Sequence, residues 1–353
     1  MAYRTEFLDA YVPGTSYYLP EDLRRTLTAM GRTAYMNQPA GTYARDIMQR
    51  LIIDLAWGSS RLEGNKYSRI DTRELIESGR GAPGKSDRDR QMILNHKAAI
   101  EFLVESAQDI EFNRYTLFNL HALLGENLLE NREDEGRLRT RAVILGDFVY
   151  TPTEIPQVIE ERFDTILAKA RAISDPMEQS FFAMVHLPYL QPFIDVNKRT
   201  SRLAANIPLI KANLCPLSFV DVPERLYTQG VLGVYELNQV SILRDVFAWA
   251  YERSCAQFQV LREAMGDPDP TRLNYRLQLR ALVTDVVRAG QWPAESEMYE
   301  RAERYGVPSA DRDSFVREAR EDLKDLRPDI LARYQLRLSE FTDWENTVRS
   351  HRR

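Results

Sequence analysis

Apolar residues recur at steps of three and four along most of the chain from residue 42 onward, which is the spacing of amphipathic α-helices. The first stripe consists of Ile47, Met48, Leu51, Ile52 and Leu55. Further helices are predicted over residues 23–30, 91–106 and 114–129, from Asp175 to Pro188, and from about Arg199. The pattern as a whole predicts an all-α fold.

Residues 1–40 are rich in Tyr, Pro and Gly and have little periodicity outside the short helix at 23–30. Such a segment cannot bury a continuous apolar face of its own. We therefore expect it to wrap the surface of the domain that follows.

The helix that begins at Asp175 has a start signal and a stop signal. Asp175 fits the N-cap, Pro176 the first helical position, and Glu178 the returning partner of a capping box. Pro188 and Pro192 are expected to end the helix because proline lacks a backbone N–H and clashes with the preceding turn.

One clear strand signal interrupts the helical pattern. Two apolar triplets, residues 143–145 and 148–150, flank the pair Gly146-Asp147. A Gly-Asp pair between two apolar runs is typical of a β-hairpin with a two-residue turn. A β-hairpin is therefore predicted over residues 143–150.

Residues 266–270 read Gly-Asp-Pro-Asp-Pro, a strong linker signal. Beyond them a new helical stripe consists of Leu279, Leu282, Val283, Val286 and Val287. Gly290, Gly306 and Pro328 divide the remainder into three or four helices. Residues 271–353 are therefore predicted to form a separate C-terminal helical domain.

The charge balance is mildly acidic, with 47 Lys and Arg against 52 Asp and Glu and a formal net charge of −5. This balance gives no global reason to expect nucleic acid or a membrane surface as a partner. Cys215 and Cys255 are the only cysteines, so we expect reduced core thiols rather than a disulfide scaffold. No apolar leader or membrane-spanning run is visible, and a cytoplasmic protein is expected.

The segment 191–202 combines residue types suited to polyphosphate. A loop leads to a helix start at which Asn197 is expected to act as the cap, leaving free N–H groups that attract phosphate. Arg199 and Arg202 share one helix face, and Asp195 could hold Mg²⁺. Phe193, apolar between polar neighbours, is expected to anchor the loop in the core. The spacing alone is equally compatible with a solvated basic helix start.

These residues resemble the Fic (Fido) family pattern H-x-F-x-[DE]-G-N-G-R-x-x-R. The matching positions are Phe193, Asp195, Asn197, Arg199 and Arg202, and the departures are Gln191 for His, Val196 for Gly and Lys198 for Gly. Upstream, residues 119–121 (NLH), 136–139 (GRLR) and the hairpin at 143–150 resemble the stretch that precedes the motif in the family. The resemblance extends over roughly residues 40 to 262.

The resemblance implies a Fic helical core over residues 111–265 with the hairpin as a small flap, preceded by an N-terminal helical region over 1–110. It further implies ATP and Mg²⁺ as cofactors and AMP transfer to a protein hydroxyl. Asn197, Lys198, Arg199 and Arg202 would then bind phosphates, and Asp195 the metal. The target protein would dock at the 143–150 hairpin as an added strand.

A second motif agrees with the first. Residues 59–64 (SSRLEG) resemble the inhibitory motif [ST]-x-x-x-E-[GN] of class II Fic proteins, on a helix at about 44–65. In the family this glutamate, here Glu63, pairs with the second arginine of the motif, here Arg202. A carboxylate on that arginine would exclude the γ-phosphate of ATP.

The departures bear on catalysis. In the family the motif histidine accepts the proton of the target hydroxyl, whereas the amide of Gln191 can orient a hydroxyl but cannot accept its proton. Val196 and Lys198 replace glycines that let the backbone approach phosphates. The sequence Asn197-Lys198-Arg199 resembles the Doc branch, which phosphorylates its target but keeps the histidine.

Other titratable residues could take the place of the missing base. His186 and His121 are interpreted as core residues, and His96 and His351 as surface residues. Glu63 is the better candidate, because a carboxylate desolvated inside the site could have a raised pKa. Gln191 and Glu63 are therefore the two catalytic candidates.

Several functions remain open at this point. The chain is either a Fic-type transferase with impaired or altered catalysis, a Doc-like phosphotransferase, or a non-catalytic interaction module gated by nucleotide. DNA binding by the C-terminal helices is disfavoured, because no helix-turn-helix or basic stripe is visible there. A homo-oligomer is possible in each case.

Overall fold

The structure is a computed structural model that describes residues 1–146, 149–265 and 270–350. Backbone packing divides the chain into two units, Met1–Leu261 and Arg262–Arg353, each described here by itself. The linker predicted at 266–270 lies almost entirely outside the described residues.

The described part of the first unit is helical, with one short 3₁₀ turn at Arg132–Asp134. Its helices are α1 (Thr5–Asp9), α2 (Glu21–Met30), α3 (Thr42–Asp46), α4 (Met48–Arg61), α5 (Arg69–Ser78), α6 (Asp87–Glu105), α7 (Arg114–Gly125), α8 (Pro156–Ala172), α9 (Pro176–Leu190), α10 (Asn197–Ala204), α11 (Asn206–Lys211), α12 (Glu224–Leu237) and α13 (Ser241–Met265). The predicted all-α fold is confirmed.

The second unit is also helical. It contains α14 (Pro270–Asn274), α15 (Arg276–Ala289), α16 (Glu295–Arg304), α17 (Arg312–Lys324) and α18 (Leu338–Ser350), with 3₁₀ turns at Ser309–Asp311 and Pro328–Tyr334. The predicted apolar stripe of α15 is buried and packs in a core with Phe315 of α17 and Trp344 of α18. The described residues of this unit form five α-helices, whereas three or four were expected.

Helix α9 is the centre of the first unit. Its residues from 180 to 190 are all buried, and it packs against α8, α10 and α11. A helix that is apolar around its whole circumference belongs in a core. Because α9 ends at the functional segment, its burial determines where residues 191–202 begin.

The start of α9 is as predicted, but its end is not. Asp175 is the N-cap and accepts hydrogen bonds from the backbone N–H groups of Met177 and Glu178. Pro188 lies inside the helix and does not stop it. The helix ends at Leu190 because Gln191 adopts a left-handed backbone with φ 51°.

Glu178 does not close the predicted capping box. Its carboxylate accepts hydrogen bonds from the Tyr11 hydroxyl and from the N–H groups of Tyr18 and Leu19. Burial raises the pKa of Glu178. This buried carboxylate ties the N-terminal segment onto α9, in agreement with the expectation that residues 1–40 wrap the domain.

The β-hairpin predicted over 143–150 is corrected. Residues 142–145 and 149–150 have no regular secondary structure, and Asp147 and Phe148 lie outside the described residues. Within the described chain the β contact is an isolated parallel bridge between Ala2 and Thr151. Backbone hydrogen bonds from Tyr3 to Thr151 (3.0 Å) and from Thr151 to Met1 (2.7 Å) flank it. The N-terminal segment, rather than residues 143–145, therefore pairs with this stretch.

The end of α4 is held close to the chain near residue 218. A Cβ atom on Gly58 would lie 2.4 Å from the carbonyl oxygen of Ser218 and 2.9 Å from the carbonyl carbon of Phe219. Beside this approach the Arg61 guanidinium donates a hydrogen bond to the Val222 carbonyl. Only glycine fits at position 58, and this close approach places residues 59–63 against α10.

Gly58→Ala should lower the free energy of unfolding by about 1–3 kcal/mol, because the added methyl group overpacks a backbone contact. Urea unfolding measures this change. The matched control is Gly81→Ala, since a Cβ at Gly81 would lie 3.4 Å or more from its neighbours at an ordinary φ. That control should change stability by less than about 0.5 kcal/mol. Equal effects of the two substitutions would refute the close approach.

Candidate functional site

The site is a loop and helix start that joins α9 to α10. Val196, and not Asn197 as predicted, occupies the N-cap position of α10, and no side chain caps the helix. Val196 has φ 67° and ψ 4°, a left-handed conformation that is rare for a β-branched residue. The backbone at position 196 therefore keeps a glycine-type conformation although the side chain is valine.

The Asn197 side chain turns back to brace the loop. Its Oδ1 accepts a hydrogen bond from the Phe193 N–H (2.9 Å), and its Nδ2 donates to the Phe193 carbonyl (2.9 Å) and to Gln191 Oε1 (2.8 Å). Phe193 itself is 1% exposed, which confirms that it anchors the loop. The amide of Asn197 is thus occupied within the loop, and phosphate at this residue would meet its backbone N–H.

Gln191 is buried and held at both ends of its amide. Nε2 donates to the Pro188 carbonyl (2.8 Å) and to the Tyr235 hydroxyl (2.8 Å), while Oε1 accepts from Asn197. Both amide N–H donors are therefore used. The side chain stabilises the loop and has no proton-accepting function.

Arg139 supports the same loop from outside the motif. Its guanidinium is 3% exposed and donates to the carbonyls of Gln191 (2.6 Å) and Thr153 (2.6 Å), and its backbone N–H donates to the Pro192 carbonyl (2.9 Å). A buried guanidinium bound by carbonyls is a structural group. It fixes the loop backbone independently of the residue type at position 191.

His121 also supports the loop and is confirmed as structural. Its ring stacks on Phe193 at a centroid distance of 3.9 Å. Nδ1 accepts from the Gly136 N–H, so the proton lies on Nε2, which faces the Asp195 carbonyl at 3.2 Å. Burial lowers the pKa of His121 to about 4, so the ring is neutral at physiological pH.

Arg199 is a buried cation whose ion pair with Asp195 is long and leaves part of its guanidinium without hydrogen bonds. It is 4% exposed, and its NH2 lies 3.7 Å from Asp195 Oδ2. Its Nε and NH1 atoms have no hydrogen-bond partner among the described residues. Burial lowers the pKa of Arg199, which nevertheless stays charged. Unpaired buried donors beside a helix N-terminus are the arrangement that an oxyanion would satisfy.

Asp195 is the one carboxylate of the segment. Its side chain is 59% exposed, and its Oδ1 accepts a hydrogen bond from the Val196 N–H (2.6 Å). No group of three or more His, Cys, Asp or Glu side chains that could hold a metal occurs among the described residues. Mg²⁺ commonly takes one or two carboxylates together with substrate phosphates and water. Asp195 therefore fits Mg²⁺ that arrives with a polyphosphate.

Arg202 is fully buried, and most of its donors are occupied by Ser59 and Glu63. Its NH2 donates to Glu63 Oε1 (2.7 Å) and to the Ser59 carbonyl (3.1 Å), and its Nε donates to Ser59 Oγ (2.9 Å). NH1 donates to the Tyr227 hydroxyl (3.0 Å). The predicted contact between Glu63 and Arg202 is confirmed. A phosphate oxygen could reach Arg202 NH2 only after Glu63 has left.

Lys198 contacts the same carboxylate. Its Nζ lies 3.2 Å from Glu63 Oε2. Burial alone would raise the pKa of Glu63, but Arg202, Lys198 and Arg199 outweigh burial and hold the pKa below its ordinary value. The raised pKa expected for Glu63 is thus wrong for this arrangement, because three cations surround the carboxylate.

His96 is buried, not on the surface as predicted. Its Nδ1 donates to the Met92 carbonyl (2.8 Å), which leaves Nε2 to accept from the Ser59 hydroxyl (2.9 Å). Burial lowers the pKa of His96 to about 3. His96 therefore orients Ser59 towards Arg202. The apolar helical pattern around residue 96 was the available signal for its burial.

His186 is confirmed as a core residue. Its Nε2 lies 2.7 Å from the Tyr18 hydroxyl, and burial lowers its pKa to about 3. It contacts the N-terminal segment and not the loop at 191–197. His351 lies outside the described residues.

Four residues of the site were not among the candidates that the sequence suggested. Tyr227 and Tyr235 come from α12, far along the chain from residue 191, and contact Arg202 and Gln191. Ser59 and Arg139 were visible only as members of motifs. Their contacts depend on how separate helices pack, which residue spacing along one segment does not record.

Residues 111–209 match the model of the Fic/DOC family. This chain contains a Fic-family domain. The matched range begins at the first residue of the core predicted from the sequence. It includes the loop, α10 and the buried histidine that supports them.

Curated relatives extend the similarity beyond that range. The chain is 27% identical over 236 residues to protein adenylyltransferase fic-1 of Caenorhabditis elegans, covering 66% of this chain and 46% of the relative. It is 28% identical over 170 residues to protein adenylyltransferase Fic of Nematostella vectensis, covering 45% of this chain and 38% of the relative. The chain spans less than half the length of these curated relatives.

Solved structures support the fold. A structure of Fic-1 from C. elegans matches with a TM-score of 0.56 at 23% identity, covering 69% of this chain and 73% of that one. A Fic family protein from Desulfovibrio desulfuricans matches with a TM-score of 0.55 at 17% identity, covering 89% and 92%. Among the described residues no helix is long and apolar enough to cross a membrane.

Glu63→Gln should lower the free energy of unfolding at neutral pH by about 1.5–3 kcal/mol, the range for hydrogen bonds to charged groups. The pKa of Glu63 is lowered in the folded protein from its ordinary value of 4.5. Its ion pairs therefore stabilise the fold fully above that pH and lose this effect as the pH falls through the folded value. Urea unfolding from about pH 3 to pH 7 should show the deficit of the variant shrinking in acid.

The control for this prediction is Glu77→Gln, at an exposed position of α5. Its unfolding free energy should follow the wild type across the same pH range. A Glu63→Gln deficit that stays constant down to the lowest pH would contradict the ion pairs.

Proposed function

We propose that this chain is a nucleotide-binding protein of the Fic adenylyltransferase lineage in which a carboxylate gates the phosphate site and AMP transfer is impaired. The proposal rests on the unsatisfied hydrogen bonding of the buried Arg199 side chain. A buried guanidinium with two unpartnered nitrogens is costly unless an anion completes it. The first turn of α10 supplies further donors, because its N–H groups have no intrahelical acceptors.

The ligand is proposed to be ATP. Arg199 and the N–H groups of residues 197–199 would bind one phosphate, and Lys198 and Arg202 another once Glu63 has moved. The relatives named protein adenylyltransferases support an adenine nucleotide. Arginine binds phosphate through charge-assisted hydrogen bonds, for which the unpartnered Nε and NH1 of Arg199 are available.

Asp195 would hold Mg²⁺ together with the phosphates. The bound ion supplies neutralisation of phosphate charge. The exposed Oδ2 of Asp195 is the oxygen available for it, since Oδ1 already accepts the Val196 N–H. The same Oδ2 lies 3.7 Å from Arg199 NH2, so the bound ion would be close to this guanidinium.

Glu63 is proposed as an inhibitory gate. Its carboxylate lies where an anionic phosphate would meet Arg202 and Lys198, so carboxylate and phosphate compete for the same cations. A role for Glu63 in hydrolysis remains a second hypothesis. It requires the carboxylate to leave Arg202 and Lys198, because these pairs hold it ionised and bound.

The chemistry expected at this site is weak AMP transfer to a protein hydroxyl. A positioned base contributes roughly a hundred- to ten-thousand-fold to such a step. Gln191 lacks a proton-accepting form, and its amide is already hydrogen-bonded by Asn197, Pro188 and Tyr235. The hydroxyl must therefore lose its proton to solvent or to a distant group.

The target is proposed to dock at the exposed segment before Tyr150. Ile144 is 94% exposed and Val149 is 69% exposed, which is unusual for large apolar side chains. Residues 149–151 already pair with the N-terminal segment on one edge. A docking strand would therefore add alongside residues 142–145.

A second function, a nucleotide-gated interaction module without catalysis, is favoured by the hydrogen bonding of Gln191. The amide completes its own network in the loop without a substrate. A binding module needs the phosphate site and the Glu63 gate, and both are independent of a base.

Glu63→Gly should tighten Mg·ATP binding by at least about tenfold relative to the wild type. The substitution frees Arg202 and Lys198, and one charge-assisted hydrogen bond is worth about 1.5–3 kcal/mol. Isothermal titration calorimetry at fixed ionic strength measures the dissociation constants. As a control, Arg199→Ala in the Glu63→Gly background should remove most of the gain. Absence of binding by both the wild type and Glu63→Gly would refute the nucleotide site.

Gln191→His in the Glu63→Gly background should raise AMP transfer by about a hundred- to ten-thousand-fold, because it restores a general base. Histidine tolerates the left-handed backbone at position 191. Incorporation of labelled AMP into lysate proteins and into the chain itself measures transfer. Gln191→Ala is the control and should show no gain. Tight nucleotide binding without transfer by the histidine variant would favour the interaction module.

A further inference from the structure

Glu63 bridges two cations that lie one turn apart on α10. Oε1 contacts Arg202 NH2 at 2.7 Å, and Oε2 lies 3.2 Å from Lys198 Nζ. Residues four apart on a helix share a face, so both cations reach the carboxylate from the same side. The two carboxylate oxygens are thus used by two different side chains.

The two contacts differ in their surroundings. Arg202 is completely buried and is also held by Ser59 and Tyr227, so it has no other position to adopt. Lys198 is 33% exposed, and its contacts in the described part of the chain do not anchor it elsewhere. A lysine side chain is flexible and can exchange one anion for another. Of the two cations that contact Glu63, Lys198 is therefore the one that can move.

Lys198 also lies in the first turn of α10, beside the N–H groups that would bind phosphate. A cation there adds to the positive end of the helix. With Glu63 in place, the carboxylate neutralises this charge. With Glu63 displaced, the same ammonium would face the incoming phosphate.

We propose that Lys198 acts on both sides of the gate, as counter-ion of Glu63 in the closed state and as phosphate ligand in the open state. The inference rests on the proposed nucleotide site and concerns its regulation. Lys198 cannot contact Glu63 and a phosphate at the same time. Removal of Lys198 therefore weakens both the closed-state contact with Glu63 and the phosphate site. Its effect on nucleotide affinity then depends on whether Glu63 is present.

The closed-state half is tested without nucleotide. Urea unfolding of the wild type, Lys198→Met, Glu63→Gln and the double variant forms a double-mutant cycle. The expected result is a coupling that corresponds to about a three- to tenfold change in the unfolding equilibrium constant, because the pair is partly shielded from water. Lys198→Arg, which keeps the charge, should retain the coupling with Glu63. A cycle with no coupling would overturn the contact.

The open-state half is tested with Mg·ATP by calorimetry. In the Glu63→Gly background, Lys198→Met should weaken binding by about tenfold, the effect of one charge-assisted hydrogen bond. In the wild-type background the same substitution should change the dissociation constant by less than about threefold. Loss of the Lys198–Glu63 contact makes Glu63 easier to displace, and this offsets the loss of the contact between Lys198 and phosphate. Lys66→Met removes an exposed charge near Glu63 and should leave both values unchanged.

The outcomes separate the inference from the proposed function. Equal weakening by Lys198→Met in both backgrounds would show a simple phosphate ligand and overturn the dual role. Unfolding coupling without any nucleotide binding would refute the proposed site and the ligand half together, while leaving the closed-state contact. Background-dependent weakening with coupling would establish both halves.

Discussion

The ion pair between Arg202 and Glu63 is the interaction on which the rest of the site depends. Arg202 is fully buried, and a buried guanidinium requires a compensating anion and filled hydrogen bonds. Glu63 supplies the charge, and Ser59 and Tyr227 supply the remaining acceptors. These contacts join the end of α4 to α10, beside the close approach of Gly58 to Ser218 and Phe219. They also place the carboxylate of Glu63 between Arg202 and Lys198 of α10.

The loop keeps its geometry without a histidine at position 191. Its backbone is held by Arg139, by His121 and by the hydrogen bonds between the Asn197 side chain and Phe193, and these contacts do not use the side chain at position 191. Gln191 fits because its amide satisfies two acceptors and one donor that a neutral imidazole would meet only in part. The scaffold of the site and its proton chemistry are therefore separable. That separation is compatible with the proposed phosphate site, which needs the loop backbone but no base at position 191.

Arg199 and Arg202 show how two arginines three residues apart come to have opposite states. Arg202 faces α4 and α12 and finds partners there, whereas Arg199 faces the helix start and has two unpartnered nitrogens among the described residues. The donors of Arg202 are thus bonded within the chain, whereas two nitrogens of Arg199 are not. A buried arginine with unbonded donors indicates a ligand site, whereas one whose donors are bonded within the chain indicates a contact that keeps the gate closed.

The sequence by itself determined the helical class, the apolar stripes and the N-cap at Asp175, because these follow from local spacing. The pairing of Glu63 with Arg202 was expected only through the resemblance of two separate motifs to the Fic family. The sequence did not determine where α9 ends, which residue caps α10 or that His96 is buried, because each of these depends on packing between segments. The pKa of Glu63 is lowered, opposite to expectation, because the effect of burial is outweighed by the attraction of three cations on α10. Likewise Val149 and Thr151 form backbone hydrogen bonds with Met1 and Tyr3, which lie at the other end of the described segment 1–146. Only the tertiary structure brings such distant groups together, and the electrostatics of the site follow from that proximity.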